Sequence, residues 1–280
     1  MDATEYQEKE FFIFIDNIIR DHLEIPRRGG AMAQPYTRKK RPPEKSLPVT
    51  LRYTFTIDQL PGNAALAVEH PELYTFELNG EPFAPAVDGY WIDPVLRTFP
   101  LPAEQLKCGK NELILKTFYH EYHPGLESLF ILGDFGVKKD NCITTMPPEV
   151  TSGDLGEQRF TFYADNFTYC QDFEVDSLPG KPLFLEIPQW RGTLLGIRIN
   201  ASGEKLLAFP PYSMEITPML KTGKNRIEIT VYGHRRNAFG PFYLNEATPF
   251  WNGPLQFKTR QQPEKQLVPF GLLGDVKITF

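Results

Sequence analysis

Several groups of side chains in this 280-residue sequence have types and spacings that could do chemistry. His120-Glu121-Tyr122-His123 sets two imidazoles around a carboxylate, as a metal or acid/base cluster would. It does not match the His-Glu-x-x-His pattern of zinc helices. It follows a strand ending near Phe118, so it belongs to a loop and reads as a polar cap. Arg235-Arg236-Asn237 follows another strand and could bond sugar hydroxyls or a uronate carboxylate. Flat rings on loops, Tyr90, Trp91, Trp190, Tyr212 and Trp251, could stack on the apolar C–H faces of a sugar, with polar residues nearby for its hydroxyls. The carbohydrate-binding candidates are therefore Trp251, Arg235, Arg236, Asn237, Trp190, Tyr212 and Trp91. Core packing competes for Tyr90, Trp91 and Tyr212, and Arg191 beside Gly192 reads as a turn residue.

Catalytic residues are not assigned. A glycosidase needs two carboxylates roughly 5 to 10 Å apart across the sugar, and the sequence does not pair its acids. Asp134 and Asp275 sit at equivalent places of a repeat described below, which favours a structural role. No metal ligand set or cofactor is expected. A structural calcium is the one ion considered, with oxygens from Asp154 or Asp165-Asn166, although no calcium-loop motif is present. Asn166-Phe167-Thr168 and Asn200-Ala201-Ser202 fit the glycosylation pattern by chance.

The totals narrow the classes. A net charge of −5 argues against non-specific nucleic-acid binding, and the basic run Arg38-Lys39-Lys40-Arg41-Pro42-Pro43 reads as a connector. No apolar run approaches the roughly 18 residues that span a bilayer. The acidic start Met1-Asp2-Ala3-Thr4-Glu5 lacks a signal-peptide pattern, and Cys108, Cys142 and Cys170 are scattered and odd in number. Together these lead to the expectation of a cytoplasmic protein with free thiols.

The elements that must position these side chains are mostly strands. Residues 6–25 carry the one helical pattern, with Phe11, Ile15, Ile18, Ile19 and His22 on one side and Pro26 ending it. From Pro48 onward the periodicity is two, over 49–57, 74–78, 113–118, 159–163, 168–175, 183–187, 194–199, 226–232 and 276–280. A Pro/Gly/polar stretch, Lys138 to Glu157, interrupts it and marks a boundary. Leu106-Lys-Cys-Gly-Lys-Asn-Glu-Leu-Ile-Leu115 recurs as Leu220-Lys-Thr-Gly-Lys-Asn-Arg-Ile-Glu-Ile229. Each copy follows an Asn at a strand end (Asn79, Asn200) and an aromatic-proline stretch, and precedes Leu-Gly-Asp (132–134, 273–275). Four matched features in one order argue for duplication. Gly and Asn of the repeated Gly-Lys-Asn are expected to carry the positive φ of a turn. The reading is all-β: helix and linker over 1–47, one antiparallel β-sandwich over 48–140 and a second over 158–280.

Trp190-Arg191-Gly192, Ile199-Asn200, Pro211-Tyr212-Ser213-Met214-Glu215-Ile216-Thr217 and the decamer resemble the sugar-binding domains of family 2 glycoside hydrolases, with Ala201 where Gly is usual. Ile15-Asp16-Asn17, Gly29-Gly30-Ala31-Met32-Ala33-Gln34-Pro35, Ala208-Phe209-Pro210-Pro211-Tyr212 and Arg236-Asn237-Ala238-Phe239-Gly240-Pro241 look like the C-terminal region of large bacterial proteins related to family 106 α-L-rhamnosidases. That resemblance implies jelly-roll, galactose-binding-like sandwiches that follow a catalytic barrel this chain lacks. It implies an accessory, non-catalytic role with an oligo- or polysaccharide and a catalytic glycoside hydrolase domain as partners. The alternatives are a structural module whose helix docks on a catalytic partner, and a small β-sandwich glycosidase or lyase.

Overall fold

The computed structural model describes residues 5, 12–28, 42–178, 180–245 and 261–280. The protein is an all-β sandwich fold with two α-helices among the described residues, and it divides into two compact units. Of the described residues, those up to Gly136 and 140–146 form the first unit; 137–139, 147–245 and 261–280 form the second.

In the first unit the chain runs through α1 (Phe12–His22), β1 (Ser46–Ile57), β2 (Ala65–Glu69), β3 (Thr75–Leu78), β4 (Glu81–Phe83), β5 (Gly89–Trp91), β6 (Asp93–Pro100), β7 (Gly109–His120) and β8 (Phe130–Leu132). Two short strands follow, β9 (Gly136–Val137) and β10 (Cys142–Thr144). One sheet has the order β4-β3-β7-β1-β10-β9 and the other β5-β6-β2-β8. The long strands β1 and β7, far apart in the chain, pair antiparallel over their whole length, Ser46 beside His120 to Ile57 beside Gly109, whereas β1 and β10 pair parallel. Alternation in β7 turns Leu113, Leu115 and Tyr119 inward. Leu113 and Leu115 meet Leu66, Val68 and Phe99 of the second sheet, with Phe76 between.

The helix covers what the second sheet does not reach. Ile19 and Leu23 pack on Tyr119 and Leu126, with Leu47, Val49 and Leu51 alongside. Its buried stripe is not the expected one. Ile13, Asp16, Ile19 and Arg20 are buried, and Ile18 is 37 % exposed. The stripe turned because Asp16 is a fully buried acceptor for three donors: Tyr119 Oη, Arg20 Nε and the Leu126 backbone N–H, each at 2.7 Å. Satisfying that carboxylate outranks burying one more isoleucine. Phe11 lies outside the described residues.

The second unit contains β11 (Phe167–Val175), β12 (Phe184–Glu186), β13 (Trp190–Arg191), β14 (Leu194–Ile199), β15 (Lys205–Leu207), β16 (Ser213–Glu215), β17 (Gly223–Tyr232), α2 (Arg236–Phe239), β18 (Gly271–Leu272) and β19 (Lys277–Thr279). Its sheets have the orders β11-β17-β14-β15, β16-β12-β19 and β13-β18. Leu195, Ile197, Ile199, Ile227, Ile229 and Val231 of one face pack on Leu185, Ile187 and Leu272. The strand expected over 159–163 is instead a series of turns with a single bridge, Val137 to Phe160. Asp154 Oδ1 accepts from Gly156 N–H, and Phe160 N–H bonds back to Leu155 O, so local turns consume the backbone groups a strand would need.

The repeated decamer has the same bonding in both units. Gly109 and Gly223 take the positive φ, at 88° and 89°, but Asn111 and Asn225 do not. Each of these asparagines is buried and ties its own turn: Asn111 Nδ2 donates to Lys107 O and Gly109 O, and Asn225 Nδ2 to Lys221 O and Gly223 O. The upstream Asn79 and Asn200, at φ 53° and 54°, donate to Asn111 Oδ1 and Asn225 Oδ1 at 2.9 Å. Positive φ thus falls on the strand-end asparagines, and the decamer asparagine serves as the clamp.

Candidate functional site

The seam between the two covers of the first sheet leaves a recess. Leu51 and Tyr53 of β1 and Leu115 of β7 form its floor, and Val68 and Glu69 of β2 one wall. Tyr74 and the segment Gly125 to Leu129 complete it, with His70 at its side. The enclosed space is about 10 Å³, room for one water molecule. A sugar ring therefore reaches only the rim.

Two carboxylates line this recess in different electrostatic settings. Glu127 accepts from the Arg28 guanidinium, which also donates to Leu126 O and lies across Gly125. Burial, and then the charge of Glu127, push the Glu69 carboxyl above its ordinary range. His70, held at φ 51° ahead of a short turn, points Nδ1 at Glu72 Oε1 at 3.0 Å. Burial raises both phenols, Tyr53 to about 12 and Tyr74 further. The rim thus offers hydroxyl-bonding carboxylates beside an imidazole and the Tyr74 phenol, the mixture that sugar recognition uses. None of these residues was singled out in the sequence. Glu69 ends an apolar strand and Glu127 sits in a loop, and only the seam brings them together.

Behind the recess, His120 and His123 act on backbone. His120 Nδ1 accepts from Tyr122 N–H and His123 Nδ1 from Gly125 N–H, both at 3.1 Å. His123 is 1 % exposed and stacks on Tyr119 with centroids 4.4 Å apart. Burial first, then His120, lower its pKa to about 4. Among the described residues no three His, Cys, Asp or Glu side chains gather to hold a metal ion.

The aromatic and basic candidates are placed as follows. Trp91 is half-buried with its ring 5.0 Å from Phe130, while Tyr90 is 59 % exposed. Trp190 and Tyr212 meet edge to face at 4.9 Å and pack on the core of the second unit. Arg235 is exposed and its carbonyl accepts from Ala238 and Phe239 N–H. Asn237 is 1 % exposed and clamps Val268 by both backbone groups, donating to its O at 2.8 Å and accepting from its N–H at 2.9 Å. Arg236 is half-buried, its pKa lowered by burial and by Arg191. Trp251 lies outside the described residues. Asp154, considered for calcium, spends Oδ1 on Gly156 and Phe270 N–H, and Asp165 Oδ1 accepts from Asn166 N–H. A wide open depression beside Asn200, Ser202 and Lys221 carries no aromatic ring or carboxylate. All three cysteines are free, and no helix among the described residues is long and apolar enough to cross a membrane.

No protein-family model matches the chain, and no curated protein does. The chain is similar to solved structures that include the following. The rhamnosidase from Novosphingobium sp. PP1Y is 18% identical, with 84% of this chain and 21% of that one covered and a TM-score of 0.31. The α-L-rhamnosidase of Streptomyces avermitilis, complexed with L-rhamnose, is 12% identical over 66% of this chain and 22% of its own, at a TM-score of 0.27. The Aspergillus terreus α-L-rhamnosidase is 10% identical over 69% and 35%, at 0.21. The chain spans about a fifth of the length of the first two, and the superpositions are too loose to carry a residue role across.

Proposed function

We propose that this chain is a non-catalytic, carbohydrate-binding accessory region of a glycoside hydrolase, and that it binds at the rim of the first-unit recess. The observation that carries this reading is the recess itself: Glu69, Glu127 and His70 stand beside the Tyr74 ring around a space of one water. Hydroxyl-bonding groups and a flat ring face a ligand there, yet the space they surround is too small to take in a sugar ring. The sequence resemblance to regions beside a catalytic barrel supports the accessory role and makes a catalytic glycoside hydrolase domain the partner.

The test is calorimetry of the full chain against neutral and acidic oligosaccharides, L-rhamnose-containing ones among them. A binding glycan is expected, and Glu69→Gln or His70→Ala weakens it by about tenfold, the loss of one to two hydrogen bonds. Absence of binding to every glycan would sink the reading. So would hydrolysis of an aryl glycoside that Glu69→Gln abolishes, because the recess would then be catalytic.

A further inference from the structure

We propose that the first-unit recess is a seat for one ammonium group, so that the glycan taken at its rim is an amino sugar with a free amine. The inference rests on the carbohydrate reading above and narrows it to one ligand class. The enclosed space of about 10 Å³ admits one water-sized group. Among the groups a sugar ring carries, a hydroxyl and an amine are that small, whereas a carboxylate and an acetamido group are not. Size leaves two choices, and the lining decides between them.

The lining is rich in acceptors. Glu69, Glu127, Tyr53 and Tyr74 all border the space, among aliphatic side chains. The half-buried Glu69 carboxylate has no hydrogen bond or ion pair among the described residues, and neither phenol hydroxyl has a hydrogen-bond partner there. The guanidinium beside the recess is committed elsewhere. Arg28 bonds Glu127 and stands 4.0 Å from Asp16, so one positive charge serves two carboxylates. Arg20 is taken by Asp16 at 2.7 Å, and His70 Nδ1 by Glu72 at 3.0 Å. Glu69 is left as a carboxylate without a counterion. The titrating groups respond to that potential: burial and then Glu127 raise the Glu69 carboxyl, and burial followed by Tyr53, Asp16, Glu127 and Glu69 raises the Tyr74 phenol.

A half-buried carboxylate without a counterion is costly, and only a charged donor relieves that cost. A hydroxyl would bring one proton and leave the charge of Glu69 in place. An ammonium brings three donors and no lone pair, which suits a lining of acceptors, and its bond to Glu69 is charge-assisted. Tyrosine rings at the wall also suit a cation better than an anion.

Titration of the ¹⁵N-labelled full chain tests this, at about pH 6, below the range in which amino groups lose their proton. The probes are glucosamine, N-acetylglucosamine, glucose, methylammonium chloride and sodium chloride. Glucosamine and methylammonium are expected to move the amide resonances of 68–70, 73–75 and 125–129. Glucosamine should bind about tenfold or more tighter than N-acetylglucosamine or glucose. Glu69→Gln keeps the size and removes the charge, and is expected to erase that preference. Tyr74→Phe keeps the ring and is expected to weaken glucosamine about threefold with the preference retained, which covers the case in which the Gln variant does not fold. Glucosamine bound no better than N-acetylglucosamine would overturn the ammonium seat and leave the carbohydrate reading standing. A response to methylammonium with no sugar bound would overturn both. Sodium moving the same resonances as strongly as methylammonium, an adventitious ion only, or an undiminished preference in Glu69→Gln, would overturn the seat.

Discussion

Single residues carry more of this structure than their types suggest. Asn111 and Asn225 each hold a turn from inside, at 0 % and 2 % exposure, and each is held in turn by a second asparagine. Replacing Asn225 by Ala removes one of the two acceptors of Asn200 Nδ2 and takes the side-chain partners from the Lys221 backbone groups. The expected cost is about 2–4 kcal/mol, read as a lower denaturant midpoint for the second unit; Lys224→Ala, on the exposed side of the same turn, should stay within about 0.5 kcal/mol. His123 makes a pH prediction. Its pKa in the fold is about 4, below the ordinary 6.5, because burial disfavours the imidazolium. The contribution of the neutral ring to stability is thus complete above pH 6.5 and is lost as pH falls towards 4, by roughly 3 kcal/mol in all. Denaturation midpoints of the wild type and His123→Gln should diverge at neutral pH and converge at pH 4; parallel curves would show that the ring is not the titrating group.

At the scale of elements, α1 is bound to the sheet by one carboxylate. Asp16 accepts from its own helix, from β7 through Tyr119, and from the loop through Leu126. A buried ion pair adds little net stability, but removing one partner leaves the other buried and uncompensated. Asp16→Ala is therefore expected to cost about 3–5 kcal/mol and to release the amides of residues 12–22 to hydrogen exchange, whereas Ile18→Ala changes little. Undiminished protection in Asp16→Ala would mean that Ile19 and Leu23 hold the helix unaided. The same docking shapes the recess, because Arg28 lies across Gly125 and bonds Glu127 just beyond the helix. An apolar helix expected to seek an outside partner finds its cover inside this chain.

On the scale of the whole molecule, the recess lies within the first unit and should respond to changes there alone. Glu69→Gln is expected to weaken glycan binding at the recess by about tenfold, and Asn225→Ala, in the second unit, to leave it unchanged. Calorimetry on the two variants checks this, and loss of binding in Asn225→Ala would contradict it. Such binding would fit an accessory region, which places ligands near a catalytic domain without reacting with them.

Strands, turns and the repeated phrase could be read from the sequence because they rest on local chemistry: period-two alternation in β1, β7 and β17, glycine at positive φ, asparagine at a strand end. Where the local signal was shared by competing structures it misled. Phe160 to Tyr163 has strand composition, but the Asp154 turn takes its backbone bonds, and the helix rotated to bury Asp16 in place of Ile18. The sites were not readable, because a carboxylate or guanidinium acquires its role from neighbours far along the chain. Glu69 meets Glu127 only where the helix and the second sheet fail to close over β1. Arg191, which reads as a turn residue, lies in strand β13 opposite Gly271, 80 positions later. Local periodicity determined the elements; the seams between packed layers, which no short window of sequence contains, decided which side chains face each other.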